Sequence, residues 1–229
     1  MLTEVVPDLY LLQDADSWTG RRSRRTGFAL RVPQAGVLAL IDPPPLPAEA
    51  CTHLQHLGPP THIVLTCNWH LRGAEAHRRR WGCRLWLHQA GRRAAETAVD
   101  GTFQDGDVLW ERVLVLHLPQ FGWPEECALL VRRPAESAVA GSAALIIGDA
   151  VCGAREDIGV PEGEVGIYST GHVTDRQAAH QALGALLRHP FDTLCFGHGA
   201  PVRRGAHDAL RRFLRRADLW GALAQEPGG

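Results

Sequence analysis

The sequence contains no lysine, because all 24 of its Lys plus Arg residues are arginine. This absence excludes mechanisms that need a lysine amine, such as Schiff-base formation or the lysine of a phosphate-binding P-loop. An excess of one charge sign is also missing, since 25 acidic residues leave a formal net charge of −1. We therefore expect neither a nucleic-acid-binding protein nor a membrane-surface protein.

Paired cysteines and long membrane-spanning runs are lacking as well. The six cysteines include no Cys-x-x-Cys pair, which predicts free thiols. The stretch 137–148 is apolar but too short and too rich in small residues to cross a bilayer. The N-terminal stretch carries Glu4 and Asp8 where an export signal would carry basic residues, so we expect a cytoplasmic protein.

The sequence is rich instead in apolar residues, which make up 45% of its 229 positions. That is enough to bury the core of one sizeable domain, and since no repeat or linker interrupts the chain, we predict a single domain over residues 1–229. Thr174 and Gln177 form a capping-box pattern at the start of one predicted helix. The predicted strands are 5–12, 28–32, 37–41, 61–66, 85–87, 113–116, 128–131, 145–147 and 191–196, and the predicted helices are 48–57, 73–81, 174–188 and 206–217.

Two polar residues directly follow predicted apolar strands. Asp149 comes after Gly148 at the end of one strand, where a carboxylate can bind a cation or can simply cap a turn. His198 lies between Gly197 and Gly199, where an imidazole can act as a metal ligand or general base, or can have only a structural role. Both residues are therefore candidates for a site at the strand ends.

A third polar loop, residues 66–74, joins a predicted strand to a predicted helix. Its His70 and Cys67 are side chains of the kind that bind soft metals. A core histidine, a buried cysteine and a packing tryptophan at Trp69 would explain the same segment equally well.

Taken in order along the chain, these loops resemble those of the metallo-β-lactamase fold superfamily of hydrolases. The resemblance covers nearly the whole sequence, and it implies the α/β architecture called an αββα sandwich, in which two mixed β-sheets carry helices on both outer faces. It also implies a metal site at one edge between the sheets. The matching segments are 40–43, 63–66, 103–107, 117–119, 148–150 and 197–199.

The sequence departs from this family at its metal ligands. The family loop reads Thr-His-x-His-x-Asp-His-x-Gly-Gly. With Thr66 setting the register, Cys67 and Trp69 take the first two histidine positions, Leu71 the aspartate and Arg72 the last histidine. A shortened loop, which we prefer, instead places His70 beside the last histidine position. The His of the family's Pro-Gly-His element is replaced by Phe121. The first zinc site is therefore expected to be lost, because neither tryptophan nor phenylalanine binds metal.

The resemblance implies a metal-dependent hydrolase with at most one zinc ion, held by His70, Asp149 and His198, and leaves open a site without metal. Asp149 and His198 would then be catalytic, and Asp42 would approach these three residues. Trp69, Phe121 and Arg72 would contact a small-molecule substrate such as an ester, thioester, lactone or phosphoester. The alternative is a non-catalytic relative that uses the cleft to bind a ligand or partner; the oligomeric state stays open.

Overall fold

The structure, a computed structural model, describes residues 2–14, 25–95, 97–121, 123–133, 143–168 and 173–216. These residues contain twelve β-strands and four α-helices. The strands are β1 (Thr3–Val6), β2 (Leu9–Gln13), β3 (Thr26–Val32), β4 (Val37–Ile41), β5 (His62–Leu65), β6 (Arg84–His88), β7 (Gly101–Phe103), β8 (Val108–Leu109), β9 (Val113–His117), β10 (Cys127–Val131), β11 (Ala143–Ile147) and β12 (Phe191–Phe196). The helices are α1 (Ala48–Leu57), α2 (Leu71–Trp81), α3 (Arg176–Leu186) and α4 (Ala206–Leu214).

The strands form two mixed sheets. The seven-stranded sheet has the order β1-β2-β3-β4-β5-β6-β7, antiparallel up to β4 and parallel from β4 to β7. The five-stranded sheet has the order β12-β11-β10-β9-β8, in which only β11 and β12 are parallel. Helix α1 connects β4 to β5 and helix α2 connects β5 to β6, as parallel neighbours require.

Alternating side chains show that both sheets are covered on both faces. In β4, Leu38 and Leu40 belong to one apolar cluster, whereas Ala39 and Ile41 belong to a second cluster that lies between the two sheets. Strand β10 alternates in the same way between the inter-sheet cluster and a third cluster. Because successive side chains of a strand point to opposite faces, each sheet must be an inner layer.

The helices supply the two outer layers. Leu54 of α1 and Ala74 of α2 pack on the seven-stranded sheet, and Leu183 of α3 and Phe213 of α4 pack on the five-stranded sheet. The order of layers is helix, sheet, sheet, helix, which confirms the predicted αββα sandwich. None of the helices in the described ranges has the length and apolar character needed to cross a membrane.

The single strand predicted for residues 5–12 was wrong. Two strands, β1 and β2, pair here as an antiparallel hairpin, and Asp8 between them has the left-handed backbone of a turn (φ +68°). The carboxylate of Asp8 lies 3.1 Å from the guanidinium of Arg112. This buried partner, which is distant in sequence, fixes the turn.

The predicted cap of α3 was also wrong. Asp175, not Thr174, precedes the helix and accepts a hydrogen bond from the backbone N–H of Ala178 at 3.0 Å. The hydroxyl of Thr174 donates instead to Gln120 Oε1. Two good capping residues are adjacent here, and the contact with Gln120 decides which of them caps the helix.

Loops from both sheets meet at one edge of the sandwich. The backbone N–H of Cys127, at the start of β10, donates to the carbonyl of Thr66 just after β5 at 3.1 Å. The backbone N–H of Thr26, at the start of β3, donates to the carbonyl of Gly197 just after β12 at 2.9 Å. These hydrogen bonds tie the loop after β5 to the five-stranded sheet and the loop after β12 to the seven-stranded sheet.

All six cysteines lie in the described residues, and each is buried and free. The prediction of free thiols is therefore confirmed.

Candidate metal centre

The loop after β4 places a buried carboxylate, Asp42, at this edge. Its backbone is left-handed (φ +45°), which costs energy for a residue other than glycine and persists only where surrounding contacts impose it. The backbone N–H of Thr66 donates to Asp42 Oδ1 at 2.9 Å, and the Thr66 hydroxyl donates to Oδ2 at 2.6 Å. Asp42 therefore ties the end of β4 to the end of β5.

His70 lies between two carboxylates. It ends the short 3-10 turn Asn68–His70 that leads into α2. Its Nδ1 is 3.0 Å from Asp42 Oδ1, and its Nε2 is 3.3 Å from Asp149 Oδ1. Burial lowers the pKa of His70, but the charges of Asp42, Cys67 and Asp149 outweigh burial and hold this pKa well above its usual value.

Asp149 receives imidazoles from two sides. Its Oδ1 is 3.3 Å from His70 Nε2 and 3.3 Å from His198 Nε2, yet this buried oxygen has no contact with hydrogen-bond geometry. Burial raises the pKa of Asp149, but the two imidazoles oppose it and the net pKa is below the usual value. In a neutral His70 protonated on Nδ1, the lone pair of Nε2 would face the Asp149 carboxylate, and a cation between them would replace the proton and remove the repulsion.

Cys67 also belongs to this cluster. Its Sγ is 3.7 Å from His70 Nδ1, and it is completely buried. Burial raises the pKa of the Cys67 thiol well above its usual value. Among the described residues, one group of three possible ligands has all its donor atoms within 4.8 Å of one another, and it comprises Cys67, His70 and Asp149.

The donor set fits one metal ion. It offers sulfur, imidazole nitrogen and carboxylate oxygen, the ligand types of zinc and related ions. The buried Asp149 oxygen without a hydrogen bond is a further sign of fit, because buried polar atoms normally have partners. Of the predicted ligands, His70 and Asp149 belong to the group within 4.8 Å, and His198 reaches it through its contact with Asp149.

Glu126 is a residue of the centre that the sequence reasoning missed. It is completely buried just before β10, and its Oε1 accepts hydrogen bonds from the backbone N–H groups of Asp149 at 3.0 Å and Ala150 at 3.3 Å. Burial and the charge of Asp149 raise its pKa well above the usual value. The available sequence signal for Glu126 was its position directly before an apolar strand. Residues that flank a strand buried on both faces tend to be buried as well.

Tyr168 was also missed, and no sequence signal distinguishes it. Its ring stacks on the imidazole of His198, with centroids 3.9 Å apart and planes 9° from parallel. The guanidinium of Arg155 lies 5.3 Å from the centroid of the same Tyr168 ring. The stack limits rotation of His198 and so keeps its Nε2 directed at Asp149.

Several solved structures share the fold of this sandwich. A metallo-β-lactamase from Pontibacter korlensis superposes with a TM-score of 0.68 and 15% identity, over 93% of this chain and 96% of that chain. A class B3 di-zinc metallo-β-lactamase from an Alaskan soil metagenome gives a TM-score of 0.62 and 12% identity, over 93% and 89%. The chain has the metallo-β-lactamase fold. At these identities the likeness shows the fold alone.

The metallo-β-lactamase fold also occurs in larger proteins. A flavo di-iron protein from Thermotoga maritima superposes with a TM-score of 0.66 and 14% identity, over 93% of this chain but 61% of that one. The present chain thus spans about three-fifths of that protein's length. No family model matches the sequence, and no curated protein matches it either.

Trp69, Phe121 and Arg72 were predicted to contact substrate, and in the structure the surroundings of Trp69 differ from those of Phe121. The side chain of Trp69 is 53% exposed and lies 5.6 Å, ring to ring, from Trp123. Phe121 is only 5% exposed and packs in the core below the five-stranded sheet, which leaves it little surface for a substrate. Arg72 lies in α2, but its side chain is outside the described part of the structure.

Proposed function

We propose that this chain is a metal-dependent hydrolase that uses a single metal ion. The observation that carries the proposal is the buried Asp149 Oδ1, which lies 3.3 Å from the Nε2 atoms of both His70 and His198 without a hydrogen bond. His70 and Asp149 would hold the ion. His198 is close enough to serve as a further ligand or to accept the proton of an attacking water.

The protein residues prepare this site before any substrate arrives. Asp42 Oδ1 lies 3.0 Å from His70 Nδ1 while Nε2 faces Asp149, and a carboxylate beside the outer nitrogen of a ligating histidine would raise its basicity toward a metal. Glu126 fixes the Asp149 loop through two backbone hydrogen bonds. A bound divalent ion would supply Lewis acidity and lower the pKa of a coordinated water to about 7.

The rim favours a substrate with an apolar part. Trp69 precedes His70 in the chain, and its exposed ring lies next to that of Trp123. Aromatic side chains contribute large apolar contact areas. An apolar ester, thioester or lactone therefore suits this rim better than a phosphoester.

A second candidate function is ligand binding without catalysis. The segment 67–74 contains no acidic residue, whereas the loop of the resembling family carries a carboxylate there. A site with metal but without a group to orient water would bind carboxylates or other anions and leave them unchanged.

Metal analysis followed by assay separates the two candidates. Protein purified without chelator should contain about one equivalent of metal and should hydrolyse at least one ester, thioester or lactone in a panel. Chelation should abolish the activity and added metal should restore it. One equivalent of metal with no turnover across the panel would favour the binding function, and absence of any metal uptake would refute both.

A further inference from the structure

We propose that Cys67 is a ligand of the metal, so that the ion lies in a mixed sulfur, nitrogen and oxygen site formed by Cys67, His70 and Asp149. The inference rests on the proposed function, since it concerns the same ion. It changes the ligand set, because the third donor becomes a thiolate that follows β5 directly. His198 is then free for proton transfer.

The backbone around Cys67 is held firmly. Thr66, its neighbour, makes two hydrogen bonds to Asp42, and the carbonyl of Thr66 accepts from the backbone N–H of Cys127 at 3.1 Å. Cys67 itself has extended backbone (φ −154°, ψ 165°) at the start of the turn that carries His70. Its sulfur is thus fixed on the same short segment as the histidine.

The distances need only a small contraction. One donor atom from each of Cys67, His70 and Asp149 can be chosen so that the three atoms lie within 4.8 Å of one another. Bonds of about 2.0–2.3 Å to a tetrahedral zinc place its donors about 3.3–3.8 Å apart. Side-chain rotations alone can supply the difference, because Cys67, His70 and Asp149 each turn about their own χ1 bonds.

Its surroundings distinguish Cys67 from two other buried cysteines, Cys83 and Cys127. Cys83 and Cys127 each belong to one of the three apolar clusters, and their thiols lie 3.4 Å and 3.6 Å from a backbone carbonyl. Cys67 belongs to none of those clusters, and its Sγ makes a 3.7 Å contact with an imidazole nitrogen, Nδ1 of His70. Cys83 and Cys127 act as small apolar groups, whereas Cys67 faces polar side chains.

The charges also favour this ligand set. A Cys67 thiolate and the Asp149 carboxylate together neutralise a divalent ion, and neutral His70 adds no charge. Asp42 is already satisfied by Thr66 and by His70 Nδ1. The positive charge of a buried ion would therefore be compensated, which removes a large cost of burial, and the Asp42 carboxylate is stabilised by its two hydrogen bonds from Thr66.

Thiolate ligation predicts a preference among metals. A site with cysteine selects thiophilic ions such as Zn²⁺, Cd²⁺ and Co²⁺, whereas carboxylates and carbonyls alone suit Mg²⁺ and Ca²⁺. Three protein ligands also leave a fourth tetrahedral position open, as catalytic zinc sites do.

Cobalt substitution tests the inference directly. Chelator-treated protein is loaded with Co²⁺, and its absorption spectrum is recorded together with cobalt content. The wild-type chain and the control Cys127→Ser should show an intense near-ultraviolet sulfur-to-cobalt charge-transfer band. Cys67→Ser should lack this band and bind cobalt about 100-fold more weakly or worse, beyond the range seen when outer partners of a ligand are removed.

The outcomes separate this inference from the proposed function. One equivalent of cobalt without the band in the wild-type chain, or a band that survives in Cys67→Ser, would overturn the thiolate ligand and leave the metal site standing. No cobalt uptake by the wild-type chain would refute both proposals. If Cys67→Ser does not fold, the cadmium-113 resonance of the cadmium-loaded wild-type chain still reports whether sulfur is bound.

Discussion

The edge of the sandwich has a polar half, formed by Asp42, His70 and Asp149, and an apolar half, formed by Trp69 and Phe121. The two halves differ in what their side chains can bind. On one side, the imidazole of His70 lies 3.0 Å from Asp42 Oδ1 and 3.3 Å from Asp149 Oδ1. On the other side, Trp69 is exposed and Phe121 lies in the core. Buried polar groups without full partners are costly, whereas buried apolar groups are not, so a bound ion would stabilise the polar half and is not needed by the apolar half.

Replacing Asp149 should break the polar half most completely. The change Asp149→Asn removes the charge that faces both His70 and His198, and we expect metal affinity to fall about 100-fold or more. Calorimetric titration with Zn²⁺ measures this loss. The control Asp208→Asn, on the exposed part of α4, should bind metal as the wild type does, and full metal affinity in Asp149→Asn would contradict the assignment.

Truncating Phe121 should show that the apolar half is now part of the core. Its side chain is 5% exposed and packs with Leu118 and other residues under the five-stranded sheet. We expect Phe121→Ala to lower the free energy of unfolding by about 3–5 kcal/mol, as read from denaturant unfolding. A loss below about 1 kcal/mol would mean that Phe121 is at the surface of the cleft after all.

A methyl group at Gly148 should disturb the link between the two sheets. A Cβ there would lie 2.2 Å from Thr66 Oγ1 and 2.9 Å from Glu126 Oε1. We expect Gly148→Ala to cost about 1–3 kcal/mol through overpacking and to weaken metal binding. In the control Gly184→Ala no atom meets the added Cβ within 4 Å, and this helical site should gain about 0.5–1 kcal/mol instead.

The sequence alone was sufficient to predict some of these features of the fold and the site, but not others. The continuous apolar runs of β4 and β10 were sufficient to predict buried strands, whereas the order of the four layers was predicted from the resemblance to the metallo-β-lactamase fold superfamily. Asp149 and His198 were also accessible, since each follows an apolar strand and a glycine. Glu126 was indicated only by its position directly before an apolar strand and Tyr168 by nothing, because the contacts that bring both residues to the centre come from residues far away in sequence.

The same reason explains the wrong details. Thr174 and Asp175 are both good capping residues, and only the distant Gln120 decides between them. Cys67 was a candidate for metal binding or for plain burial, and its sequence neighbours could not distinguish the two. Its distances to His70 and Asp149 now favour the first.

Stability of the metal-free chain should fall as pH rises. The folded-state pKa of His70 is raised, so its stabilisation is complete below the unfolded pKa of about 6.5 and is lost as pH increases through the folded pKa. The raised pKa values of Glu126 and Cys67 act in the same direction. Urea unfolding of chelator-treated protein between about pH 6 and about pH 9 should therefore show a negative slope.

The matched variant for this pH effect is His70→Gln, which should flatten the slope, whereas His56→Gln on the exposed part of α1 should leave it unchanged. Asp149, whose pKa is lowered, contributes stability above about pH 4 that is lost only on acidification. It therefore does not disturb the alkaline range. If the free energy of unfolding of the wild-type chain stays constant or increases with pH, the polar cluster does not have the predicted effect on stability.

The smallest expected effect on stability is that of Trp69→Ala. The side chain is 53% exposed, and we expect its removal to change the free energy of unfolding by no more than about 0.5 kcal/mol. Metal content should stay the same, because the indole binds no ion. If the ring pair with Trp123 contacts an apolar substrate, KM for an ester with a long acyl chain should rise while KM for an acetyl ester stays constant. An equal rise for both esters would place Trp69 outside the substrate cleft and leave the apolar half of the edge without a role in binding.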